Sequence, residues 1–302
     1  MTKMAQSMFL IVTTSETILG ICCNGFIWLV NCISLAKSKK MSLSEFVITS
    51  LAISRICLLC ILIADVFLLF YTDFNETSTV MQIISILWTF ANFLSISLAT
   101  CLSIFYCLKI ANFSHRAFLW LKWRVSHVVR WILMASVLFS FFGTFILIKE
   151  FDVTHSYRQM TPTANCTEDI REKKSVNFVT YIFTALWMIM PFIASLISYV
   201  LSILSLRRHT QQMQNNGTGS RDPSTEAHVR ATKIILSFLF LFIVYLVAFF
   251  IILLGVFMPD ANLAWITGEM ILAAHPSIHS ILLIVSNNKL KQAFLRMFQI
   301  KK

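Results

Sequence analysis

Four ionisable side chains lie inside long apolar stretches of this 302-residue chain: Glu16, Asp65 and Glu269 as acids, and Arg55 as the one base. A charge at a helix centre in lipid costs about 2.5–3.5 kcal/mol on insertion scales, so each is a functional candidate by default. Intramembrane proteolysis would need two aspartates at one depth, and Asp65 has only Glu269 as a conceivable partner, both close to the membrane surface. His275 and His279 stand one turn apart, as zinc ligands often do. Pro276 lies between them and no third ligand adjoins, so packing or a helix-bonding role is expected instead of a metal site. The last apolar stretch has no lysine, which excludes a retinal Schiff base, and none of the seven glycines forms a phosphate-binding loop. No enzyme activity, metal or cofactor is expected.

The elements that must position these groups are seven apolar runs, at about 8–35, 46–71, 80–108, 131–148, 178–206, 231–258 and 264–285. Roughly 20 apolar residues cross ~30 Å of hydrocarbon as a helix. Only a helix satisfies its own backbone hydrogen bonds there. A composition 57% hydrophobic and 13% charged belongs to the membrane class. The expected fold is therefore an all-α membrane protein, a seven-transmembrane bundle forming a single domain over 1–302. No internal repeat is visible, unlike many transporters.

Charge between the spans orients the bundle. One side carries 18 of the lysines and arginines and the other 6, with Arg55 left inside a span. Short loops rich in Lys and Arg stay cytoplasmic. The N-terminus is thus expected outside and the C-terminus in the cytoplasm of a multi-pass plasma-membrane protein. The net charge of +11 is mostly a topology signal, and nucleic acid is not a partner.

At 1.5 Å per residue, Asp65 lies ~9 Å and Glu269 ~8 Å below the outer surface, while Arg55 shares a mid-membrane layer with Asn24. Arg55 is expected to be a structural cation, held by amide and carbonyl oxygens and tying the first two spans together. The third span carries a polar and small-residue stripe at Ser85, Asn92, Ser95, Ala99, Ser103 and Tyr106, with Trp88 one turn above Asn92. Helical spacing turns that face into the bundle. Two arrangements stay open on these residues alone. Trp88, Asn92 and a carboxylate could line an outward small-molecule pocket. Alternatively Trp88 is an interfacial belt residue and Asn92 bridges two helices.

Seven of the eight cysteines fall inside spans, and Cys166 stands apart in an outward loop running from Lys149 to Asn177, so no disulfide framework is expected. Asn165 and Asn75 head glycosylation sequons on the outward side, whereas Asn112 and Asn216 match the pattern on the cytoplasmic side. Asp222 followed by Pro223 reads as an N-cap with proline at the first helical position, so the sixth span begins well before its apolar part. After the last span, Leu290, Phe294, Met297 and Phe298 share one face and Lys289, Lys291, Gln292 and Arg296 the other. That is a short amphipathic helix, with membrane lipid as its partner.

Longer strings carry a resemblance. Leu51-Ala52-Ile53-Ser54-Arg55, the run from Leu98 through Tyr106 to His115, and Phe118-Leu119-Trp120-Leu121-Lys122-Trp123-Arg124 resemble signatures of the bitter taste receptors (taste receptor type 2). So do Ser205-Leu206-Arg207-Arg208-His209, the stretch Arg221 to His228, Pro276-Ser277-Ile278-His279-Ser280 and Asn288-Lys289-Leu290-Lys291. The matches cover all but the outer loops. The resemblance implies a G-protein-coupled receptor for bitter small molecules, acting through a gustducin-type heterotrimeric G protein on phospholipase C and calcium. It implies agonist contacts at Trp88, Asn92 and Glu269, with Asp65 by a looser match, and glycosylation at Asn165. Asn24, Arg55, Tyr106, His279 and Ser280 are expected to be structural and activation positions.

Departures narrow the reading. The family usually has Asn-His-Leu-Ser where this chain has Asn92-Phe93-Leu94-Ser95, so metal-ion sensing is not expected. His115-Arg116 replaces the usual His-Pro, and His275 precedes Pro276 where an aromatic is common. The Asp-Arg-Tyr and Asn-Pro-x-x-Tyr patterns of rhodopsin-like receptors are missing, which weakens a rhodopsin-like receptor for another ligand as the alternative. A small-solute transporter using Asp65, Arg55 and Glu269 as a relay is the other rival, but their depths form no chain.

Overall fold

The structure, a computed structural model, describes residues 3–71, 78–111, 113, 115–160, 186–208, 211, 223–255 and 261–299. These form α1 (Lys3–Ser38), α2 (Leu43–Tyr71), α3 (Ser78–Ile110), the short α4 (Arg116–Trp123) and α5 (Val125–Met160). Then come α6 (Leu186–Arg208), α7 (Pro223–Gly255), α8 (Ala261–Ser286) and α9 (Asn288–Gln299). Seven of them, α1, α2, α3, α5, α6, α7 and α8, are long and apolar enough to cross a membrane. The protein is a multi-pass membrane protein with a seven-helix bundle.

Local chemistry sets several helix ends. Ser42 and Glu45 form a capping box at the start of α2: the Ser42 N–H donates to Glu45 Oε2 at 2.8 Å, and the Glu45 N–H to Ser42 Oγ at 3.3 Å. α7 begins at Pro223, whose missing N–H costs nothing in a first turn. Asn287 caps α9 by accepting from the Lys289 and Leu290 N–H groups at 3.0 and 3.3 Å. α5 differs from the expected 131–148 span. It starts at Val125 and continues to Met160, through polar residues expected in a loop, because no helix breaker occurs before Pro162. The stretch around Arg116 also coils, into α4.

α3 is the central strut, with 67% of its apolar window buried against 22% for α1. α1 packs on α2, α2 on α3, α3 on α5, and α8 lies between α1 and α7. Toward the α9 end the core is built on Ile48, Leu51, Leu102, Phe238 and Leu283. Toward the end where α1 begins, a second cluster joins Phe93, Met188, Tyr245, Phe249 and Leu272. Leu290 of α9, expected on the lipid-facing side, is instead buried to 1% exposure in the first of these clusters. Phe294 meets Phe26 edge-on at 5.7 Å, so α9 docks on α1 as well as lying along the surface. Lys289 completes the docking with an ion pair to Glu45 of α2.

Candidate functional site

Arg55 is completely buried on α2. Its Nη1 faces His279 Nδ1 at 3.0 Å and donates to Ser280 Oγ at 3.2 Å, both on α8. Its Nε donates to Ser95 Oγ of α3 at a long 3.5 Å. Ser280 Oγ is 2.8 Å from Asn24 Oδ1, while Asn24 turns its own amide N–H to the Gly20 carbonyl at 2.8 Å. The expected tie between the first two spans is therefore indirect. An imidazole and hydroxyls hold the guanidinium in place of carbonyl oxygens, since the helical carbonyls are committed to their own helices. Among the described residues, Arg55 joins α2 to α8 and α3, and reaches α1 through Ser280. Arg55 Nη2 has no hydrogen-bond partner among the described residues.

One layer nearer the α1 start, Asn92 is buried at 5% exposure and its Nδ2 donates to Tyr245 Oη of α7 at 3.1 Å. The Tyr245 ring stands 4.8 Å from that of His275, and His275 stands 5.8 Å from His279. A continuous ring-and-amide path thus runs Asn92–Tyr245–His275–His279–Arg55. Trp88, one turn above Asn92 on α3, is half-buried. Both His275 and His279 are committed to these contacts, and no cluster of three metal-ligating side chains occurs among the described residues.

Asp65 and Glu269 each adjoin a residue of one packing cluster at the seam of α2 and α8. Val66, next to Asp65, packs with Ile266 of α8 and Phe9 of α1, and Met270, next to Glu269, packs against the same cluster. Met270 also lines one cavity with Tyr245.

Two cavities flank the path. One of about 290 Å³ lies between α1, α7 and α8, lined by Glu16, Tyr245, Met270 and His275. The other, of about 160 Å³, lies on the α9 side of the network and is lined by Tyr106, Tyr199, Phe238 and His279. The structure thus brings Tyr106 and His279 to one cavity and Glu16 and Tyr245 to the other. Asn75 and Asn165 lie outside the described residues.

Tyr245 and Trp187 are the residues that sequence reasoning missed. Tyr245 is the one tyrosine in the apolar run of α7, which was the available signal. Trp187 of α6 stacks on Phe139 at 4.1 Å and contacts Phe93 at 6.2 Å between ring centres. Phe93 therefore faces an aromatic cluster of α3, α5 and α6. Gly143 makes room for that cluster: a Cβ there would sit 2.8 Å from Phe93 Cε2 and from Trp187 Nε1.

The profile of the taste receptor protein (TAS2R) family matches residues 1–302. The chain belongs to the taste receptor type 2 family. It is 49% identical to taste receptor type 2 member 3 of Homo sapiens over 300 residues, covering 99% of this chain and 95% of that one. It is 48% identical to member 3 of Papio hamadryas over 297 residues, covering 98% and 94%. Member 7 of Pan troglodytes matches at 45% over 301 residues, covering 98% and 93%. This taste receptor is a chemosensory receptor of the bitter taste, G-protein-coupled class, and its family is not a class of enzymes.

Proposed function

We propose that this taste receptor binds bitter small molecules at the end of the bundle where α1 begins. There Trp88 and Asn92 contact the agonist, and Glu269, with Asp65 beside it, pairs with cationic groups. The observation that carries the site is the buried Asn92–Tyr245 hydrogen bond of 3.1 Å, one turn below Trp88. A buried, satisfied polar pair between two helices offers an agonist something to exchange, and its partners lead on to Arg55 through the two histidines. An agonist can shift the receptor only by its difference in affinity between two states.

The positive-inside bias supports an extracellular N-terminus and a cytoplasmic C-terminus at the plasma membrane, with carbohydrate on Asn165 and Asn75. The cytoplasmic face then engages a gustducin-type heterotrimeric G protein and signals through phospholipase C and calcium. Asn24, Arg55, Tyr106, His279 and Ser280 act as the structural and activation layer between the pocket and that face. Cells expressing the chain with a promiscuous G-protein subunit and a calcium reporter test the reading. Responses to some bitter compounds, absent from untransfected cells, are the expected result. Silence across a broad bitter panel, with the receptor at the cell surface, would contradict it.

A further inference from the structure

A groove of about 780 Å³ opens on the lipid-facing side of the bundle between α2, α3 and α5, away from the site above. We infer that it holds one acyl chain of an anionic phospholipid whose headgroup is bound by Arg130. The walls are Ile53 and Cys57 of α2, Leu87 and Leu94 of α3, and Met134 and Val137 of α5. Ile53, Leu87, Met134 and Val137 are 45%, 47%, 59% and 39% exposed, so the groove faces the membrane and not the bundle interior. Ser54 in its floor donates to its own helix, at the Leu51 carbonyl 2.9 Å away, and so presents no free donor to a polar solute.

The length fits a lipid chain. Along α2 the lining runs from Phe46 to Ile61, which at 1.5 Å per residue is about 22 Å. One leaflet's hydrocarbon is about 15 Å thick, half of the bilayer core, which leaves room for the interfacial layer at one end.

The charge lies at the correct end for a headgroup. Arg130 lines the groove five residues from the start of α5 and is exposed. Trp123 and Trp131, 86% and 69% exposed, flank it as interfacial aromatics do. The one ion pair among the described residues joins Lys289 to Glu45, so Arg130 has no carboxylate competing for it there. Exposed His127 lies one turn before Arg130 on α5, and exposed Arg124, at the junction of α4 and α5, has its guanidinium over the Trp120 ring. Basic pockets between spans on the cytoplasmic side suit anionic headgroups. The choice of leaflet rests on the orientation proposed above; the groove itself does not.

Full-length receptor in nanodiscs of phosphatidylcholine, doped with phosphatidylserine bearing a diazirine on one acyl chain, tests this. Both leaflets are identical in such discs, so the outcome is independent of orientation. Mass spectrometry of the crosslinked peptides is expected to place the label on α2, α3 and α5 around Ile53, Leu94 and Met134. Labelling is expected to drop severalfold in Arg130→Gln, to persist in Arg130→Lys, and to drop in Ile53→Trp, which narrows the groove while leaving the charge. Label spread evenly around the bundle, equal labelling by a diazirine phosphatidylcholine, or no change in Arg130→Gln would overturn the inference. So would a photoactive sterol that occupies the groove regardless of Arg130.

Discussion

Arg55 of α2 and His279 of α8 meet at 3.0 Å, guanidinium Nη1 to imidazole Nδ1, with both side chains buried. A guanidinium can only donate, so Nδ1 must accept. The imidazole is therefore neutral and carries its proton on Nε2. No carboxylate is hydrogen-bonded to Arg55 among the described residues, and the cation is held by dipoles alone, from an imidazole and two serine hydroxyls. Ser280 of α8 stands between Arg55 of α2 and Asn24 of α1, within hydrogen-bond distance of both.

His279→Ala is expected to destabilise the receptor, because it strips an acceptor from a buried charged donor at a cost of about 1–3 kcal/mol or more. His279→Gln, which restores an acceptor oxygen, should recover part of the loss. Thermal unfolding of the purified receptor in detergent checks this, and an unchanged Tm in His279→Ala would count against the network.

Tyr245→Phe removes the oxygen that accepts from Asn92, and Asn92→Ala removes the donor. Each single change is expected to shift unfolding free energy by about 1–3 kcal/mol. The double variant should cost less than the two together, with a coupling of roughly 0.5–3 kcal/mol for residues in direct contact. A denaturation-based double-mutant cycle measures that coupling, and strict additivity would mean the pair does not interact.

Much of the frame was legible in the chain, for reasons lipid imposes. Apolar length reports on the spans, and Pro223 on the start of α7. Helical rise also assigns depth, so Arg55 and Asn24 could be set in one layer. Rise says nothing of rotation about each axis, which is why the partners of Arg55 on α8 and α3 were hidden. Tyr245 was invisible for a related reason: one hydroxyl in a run of leucine, isoleucine and phenylalanine barely alters its hydropathy. The α5 extension to Met160 escaped because hydropathy marks where lipid ends and not where a helix does. Phe93 looked like a lost pocket contact, and only packing reveals its neighbours Trp187 and Phe139.

Gly143→Ala is expected to lower stability by about 1–3 kcal/mol, the usual cost of overpacking. The added Cβ would press on both Phe93 and Trp187 at 2.8 Å. Phe93→Leu in the same chain should return part of the loss by removing one of the two clashes. Surface expression together with Tm reads both effects.

Glu269→Gln is expected to weaken cationic agonists about tenfold, equivalent to ~1.4 kcal/mol, while neutral agonists keep their potency. Calcium dose–response curves for matched cationic and neutral agonists separate the cases, and equal shifts for both would assign Glu269 a structural role.

The most direct test of an agonist site between α3 and α8 is the calcium response of Trp88→Ala and Asn92→Ala, measured beside surface staining of the same cells. The predicted result is a lost or strongly right-shifted response with the receptor still at the surface. Two variants that respond like the unmodified chain at equal surface density would contradict the site.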